Sequence, residues 1–190
     1  MDRQQPRFEN GLESIMTRKV ISNQDIHEAR AKICKVVSDS VVETFNTMFG
    51  QSITADDISR RFADQTGSVF ASIKLHQGSV HVEFCFRFDV QLLLKAAALI
   101  FTKEYLAANP VHDDIACEIA NIVCSKVKAF LNDSGYDTEM GFPFIPLPDK
   151  NPLLKYEDMV HMHFYYDDEK SNQGVGVVVN FFTDDQPVTG

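Results

Sequence analysis

The chain has 190 residues, 44% of them hydrophobic and 24% charged. That is enough for one domain with a sizeable core, and it excludes a globally disordered chain. Eighteen bases against 27 acids leave a net charge of −9, which argues against general nucleic-acid binding, because that depends on Lys and Arg neutralising phosphates.

Residues 1–24 read as a polar arm or accessory helix with a weakly helical middle, GLESIMTRKVI. The opening MDRQQPRFEN lacks the apolar core of a signal peptide. The longest apolar stretch, Val90 to Phe101, is interrupted by Gln91 and Lys95 and is too short to span a bilayer. The expectation is a cytoplasmic protein whose single domain occupies 25–190. Charge is lopsided along it. Residues 1–36 hold seven bases and five acids, whereas 132–190 hold three lysines and eleven acids.

The first element is a long helix from about Asp25 to Phe49. Ile26, Ile33, Val37, Val41, Phe45 and Met48 recur at helical spacing, and Gly50 suits its end. A linking stretch reaches to Gln65. Two strands follow. Val69, Ala71, Ile73 and Leu75 alternate with polar positions, as do Val80, Val82, Phe84, Phe86 and Phe88. His76-Gln77-Gly78-Ser79 supplies the turn, so the pair reads as a hairpin with one buried face. Asp89 suits the cap of a helix from Val90 to about Leu106, and Pro110 breaks the chain. A third helix spans about Asp113 to Leu131. A strand is expected at Tyr136 to Ile145, then a proline-rich loop, PFIPLPDKNP. The last pair, Met159–Tyr166 and Val175–Phe182, reads as another hairpin across the turn DDEKSNQG. Helix, connection and hairpin thus occur twice, which suggests an approximate internal two-fold. The fold class is α/β in the α+β sense: antiparallel hairpins forming a sheet packed against long helices.

The third helix is the informative segment. On a wheel of about 100° per residue, Asp114, Glu118, Asn121 and Ser125 share a narrow stripe. Most of the remaining circumference is apolar. An ordinary surface helix has a broad polar face instead. A carboxylate on such a stripe can pair with a partner's lysine. A carboxamide both donates and accepts, so it can orient a water without taking its proton. The same stripe also suits a half-buried helix that merely faces solvent.

Asp114-x3-Glu118-x2-Asn121, then 21 residues, then Pro143, resembles the signature of the CheC/CheX/FliY chemotaxis phosphatases, closest to the CheX-like single-site members. The element order is similar over roughly residues 25–185, which would make 25–190 a CheX-like domain. The resemblance implies hydrolysis of the phosphoaspartate of a CheY-like receiver domain in chemotaxis or two-component signalling. It implies that Glu118 pairs with the receiver's active-site lysine and that Asn121 holds the attacking water. Asp114 and Pro143 would shape the site. The receiver would bring its own Mg²⁺, and this chain would need no cofactor or metal of its own. The alternative is a non-catalytic module of the same fold that docks on a receiver or flagellar-switch protein.

The spacing recurs in Asp39-x3-Glu43-x2-Asn46 on the first helix, so Glu43 and Asn46 are a candidate second site. No proline lies 21 or 22 residues beyond Asn46, and those residues belong to a continuous charged stripe with Glu28, Lys32 and Lys35. His161 and His163 share a strand face but lack a third ligand at recognisable spacing. Cys34, Cys85, Cys117 and Cys124 form no CxxC pair and no zinc-ribbon spacing; Cys117 and Cys124 lie outside any Cys-x5-Arg phosphate loop and read as small hydrophobes. Asp167-Asp168-Glu169 lacks calcium-loop spacing and reads as a solvated turn. The apolar GVGVVVNFF run either lies within its own sheet or, at an edge, would invite homodimerisation.

Overall fold

A computed structural model describes residues 19–20, 22–56, 67–146, 159–166 and 174–184. Most of the expected arm, the acidic turn at 167–169 and the proline-rich loop beyond Pro146 lie outside the described residues. Helix α1 (Asn23–Phe49) opens on a capping box in which the Ser22 and Asp25 side chains each bond the other's backbone N–H. It ends at Gly50, whose φ of 58° places it in the left-handed region that favours glycine. Strand β1 (Ile53–Asp56) follows, then β2 (Ser68–Gln77) and β3 (Val80–Asp89). The β2–β3 hairpin turns on Gly78, also at φ 58°, as a two-residue connection between twisted strands requires. Asp89 accepts from the backbone N–H of Gln91 and Leu92 and so starts α2 (Val90–Ile100).

The single helix expected from Val90 to about Leu106 is two. Phe101 takes an extended conformation, and the Thr102 hydroxyl accepts from Tyr105 N to start α3 (Lys103–Ala108). Helix α4 runs from His112 to Asp133. The strand expected from Tyr136 to Ile145 is far shorter: β4 is Glu139–Met140, with isolated bridges at Tyr136 and Phe144. Strands β5 (Met159–Tyr166) and β6 (Gly174–Thr183) complete a six-stranded antiparallel sheet ordered β1-β5-β6-β3-β2-β4. The order is symmetric about its β6–β3 centre. The strand after each long helix crosses over to pair with the hairpin of the other half: β1 with β5, and β4 with β2.

Strand β6 sits between β3 and β5, so it offers no free edge, and a homodimer built through it has no support. A run apolar at nearly every position is what such a central strand needs. One core joins Ile33, Val37, Val41 and Phe45 of α1, Leu92, Leu93, Ala96 and Ala97 of α2, and Ile119, Val123 and Val127 of α4 to one face of the sheet. The reverse face of β3 is covered as well, with Glu83, Cys85 and Arg87 buried, so the hairpin does not have one solvated face as expected. The Glu83 carboxylate lies 3.6 Å from Lys74 Nζ, and Arg87 Nε donates to Ser68 Oγ at 2.9 Å. Among the described residues, no helix is long and apolar enough to cross a membrane.

Candidate functional site

Helix α4 begins just after Pro110 and carries Asp113 and Asp114 in its first turn, where carboxylates are favoured by the helix dipole. Its buried side is Ile115, Ala116, Ile119, Ala120, Val123, Cys124, Val127 and Leu131. The remaining arc is the stripe the wheel anticipates. Asp114, Glu118 and Ser125 are exposed, and Asn121 is half-buried. Asp114, Glu118 and Asn121 make no hydrogen bond or ion pair with another described residue. Near the last of these positions, Ser125 Oγ lies 3.9 Å from Met140 Sδ. The strand leading to Pro143 thus meets the same helix face, and Pro143 itself is half-buried.

The turn between α4 and β4 is fixed by a contact that periodicity does not reveal. Asn132 Oδ1 accepts from Thr138 N at 3.2 Å and from Thr138 Oγ1 at 3.1 Å. An Asn followed six residues later by Thr is too common a pairing to have been read from sequence. Beyond it, Gly141 N donates to Lys74 O, and Ser72 and Phe144 exchange backbone hydrogen bonds at 2.8 and 2.9 Å. The Pro143 loop is thereby stitched along the outer side of β2.

The second candidate set differs on three counts. Glu43 accepts from Lys126 Nζ of α4 at 2.8 Å, Asp39 from Lys35 Nζ at 2.7 Å, and Asn46 Oδ1 lies 3.5 Å from Ser52 Oγ. Its three polar groups already have partners. The two helices also bury matching ladders, Ile33, Val37, Val41, Phe45 and Phe49 on α1 against Ile115, Ile119, Val123, Val127 and Leu131 on α4. With these aligned, Glu118 and Asn121 correspond to Val36 and Asp39. In that alignment Glu43 and Asn46 sit about two turns beyond the positions that match the α4 pair.

The remaining candidates gain no chemistry. His161 is exposed and His163 half-buried, and no group of three potential metal ligands occurs among the described residues. All four cysteines are free. Burial pushes the Cys85 thiol up to about 11, and Cys124, fully enclosed, goes well above its ordinary value. Cys117, beside the stripe, is raised by burial and then by the neighbouring Asp113 and Asp114 carboxylates. A thiol poised as a nucleophile has the opposite shift. At pH 8 an aromatic disulfide reagent should label Cys34 and Cys117 of the native protein first and spare Cys85 and Cys124 until denaturant is added. Rapid labelling of Cys124 in the native state would contradict its enclosure.

No protein-family model and no curated protein matches the chain. Solved structures do. The chain is similar to the chemotaxis protein CheX from Vibrio vulnificus, at 19% identity and a TM-score of 0.62, covering 80% of this chain and 99% of that one. It is similar to a chemotactic CheC-like protein from Shewanella oneidensis, at 18% identity and a TM-score of 0.59, covering 80% and 99%. A third is CheX of Borrelia burgdorferi, solved in complex with CheY, BeF₃ and Mg²⁺, at 12% identity and a TM-score of 0.53, covering 78% and 97%. At these identities the likeness is one of architecture, and it spans nearly the full length of each relative. The chain has the fold of the CheX and CheC-like chemotaxis proteins.

Proposed function

We propose that this protein is an aspartyl-phosphate phosphatase acting on a CheY-like receiver domain. The observation that carries the reading is the pairing of exposed Glu118 with half-buried Asn121, one turn apart on α4, with neither engaged by another described residue. The CheX of Borrelia burgdorferi was crystallised with CheY, so the fold accommodates a receiver partner.

The chemistry asks little of this chain. An acyl phosphate is already activated, and phosphoryl transfer is mostly positioning and charge stabilisation. Glu118 forms an ion pair with the receiver's active-site lysine and fixes the docking register. Asn121 donates to and accepts from one water and holds its oxygen in line with phosphorus, opposite the aspartyl oxygen. Water attack forms the new P–O bond as the bond to the aspartyl oxygen breaks. The aspartate leaves as a carboxylate, and the products include inorganic phosphate. The receiver brings the Mg²⁺. Asp114 places a further negative charge near the N-terminal end of the stripe, and Pro143 lies on the loop that follows β4.

The test follows phosphate loss from a panel of phosphorylated receivers of the same cell, with and without the protein. Acceleration of at least one receiver is expected. Glu118→Ala should weaken the productive complex about 10- to 100-fold, the usual worth of a hydrogen bond to a charged group, and this is read as a raised KM. Binding of a receiver with no acceleration by the parent protein would leave a docking module in place of an enzyme.

A further inference from the structure

Phe142 is 94% exposed, the most exposed large apolar side chain among the described residues, and Phe144 and Ile145 beside it are 45% and 40% exposed. Three apolar side chains in four positions, with Pro143 between them, form one knuckle. Its backbone is not left free. Gly141 N donates to Lys74 O at 2.9 Å, and Ser72 and Phe144 exchange two hydrogen bonds. The knuckle is therefore presented on a fixed edge of the sheet, so its burial by a partner costs little ordering entropy. A rigid, exposed aromatic is the kind of group that anchors protein interfaces.

Its position names the occupant. Met140, two residues before Phe142, touches Ser125 at 3.9 Å. Ser125 lies one turn beyond Asn121 on the same stripe. Through Met140 and Ser125 the knuckle is tied to the C-terminal end of the helix stripe that carries Glu118 and Asn121. We infer that Phe142, supported by Phe144 and Ile145, is the apolar anchor of the receiver domain, docking beside the phosphorylated site of that partner. The inference rests on the proposed receiver reading. It assigns the polar stripe to chemistry and register, and the knuckle to affinity.

The assay uses the full chain with a receiver loaded with beryllofluoride and Mg²⁺ for affinity, and the same receiver phosphorylated for turnover. Phe142→Ser removes the anchor at a site with almost no intramolecular packing to lose. It should weaken binding about tenfold or more (about 1.4 kcal/mol or more), raise KM by a similar factor and leave kcat within about twofold, as expected for truncating an interface anchor. Phe142→Leu should recover most of the affinity. Unchanged KM and affinity in Phe142→Ser, with an active parent, overturn the anchor and leave the phosphatase reading standing. A parent that neither binds nor dephosphorylates any receiver overturns both. A serine variant that loses a self-associated state while retaining receiver binding assigns the knuckle to a second copy of this chain and overturns the inference.

Discussion

Replacing Asn121 by Ala is expected to lower kcat for receiver dephosphorylation by about 10²- to 10³-fold, the loss measured when one preorganised hydrogen-bonding group is removed from an active site. KM should stay within a few-fold of the parent, because docking depends on Glu118 and on the face around it. The amide is half-buried and bonds to no described residue, so the variant should fold with nearly unchanged stability. Asn121→Asp is the sharper comparison. It keeps size and shape but replaces the amide's donor with a second acceptor and adds a negative charge facing a phosphoryl group, so it should not rescue the rate. Single-turnover decay of the phosphorylated receiver under saturating protein reads kcat directly. A parent-like rate in Asn121→Ala would remove the water-positioning role from this amide.

The largest expected loss of stability comes from the sheet's centre. Phe84 is fully buried on β3, opposite Ile73 of β2 and Val179 of β6. Phe84→Ala deletes most of an aromatic side chain where neighbours on both strands restrict collapse, and it should cost about 3–5 kcal/mol. That is about a fifth or more of the stability of an ordinary domain. It corresponds to a fall in Tm of about 6–20 °C at this chain length. Thermal unfolding followed by circular dichroism measures it. A shift below about 2 °C would mean that Phe84 is not enclosed as described. The assays of Asn121→Ala and Phe84→Ala separate cleanly: one loses rate with Tm retained, the other loses Tm while any folded fraction retains its rate.

Much of this architecture was legible from the chain because it rests on local patterns. The period-two alternation of Val69–Leu75 and Val80–Phe88, the Gly78 turn and the Asp89 cap each specify geometry within a few residues. The α4 stripe was equally accessible, since a helical wheel needs only neighbours. What escaped depends on distant partners. Strand β1 is four residues long, and its pairing comes from β5, a hundred residues later. The break at Thr102 interrupts an apolar pattern that itself does not change. Strand β4 stops after Met140, where Gly141 and Pro143 follow, and Pro143 has no N–H to extend a ladder. The Glu43–Lys126 pair joins two helices 83 positions apart in sequence, so nothing on α1 alone distinguishes a committed carboxylate from an available one. The exposure of Phe142 was hidden for the opposite reason: aromatic residues in a proline-rich run are normally tucked away.

The exchange of β1 and β4 between halves has a consequence for how the chain reaches this state. Each terminal strand of the sheet is supplied by one half and received by the other, so the two repeats are interlocked and neither closes its sheet by itself. Three of the five strand pairings join segments far apart in the chain, which raises contact order and slows folding relative to a helical bundle of equal length. The same interlocking makes partial opening unproductive: releasing either outer strand uncovers the hairpin of the opposite half, coupling both ends of the molecule into one cooperative unit.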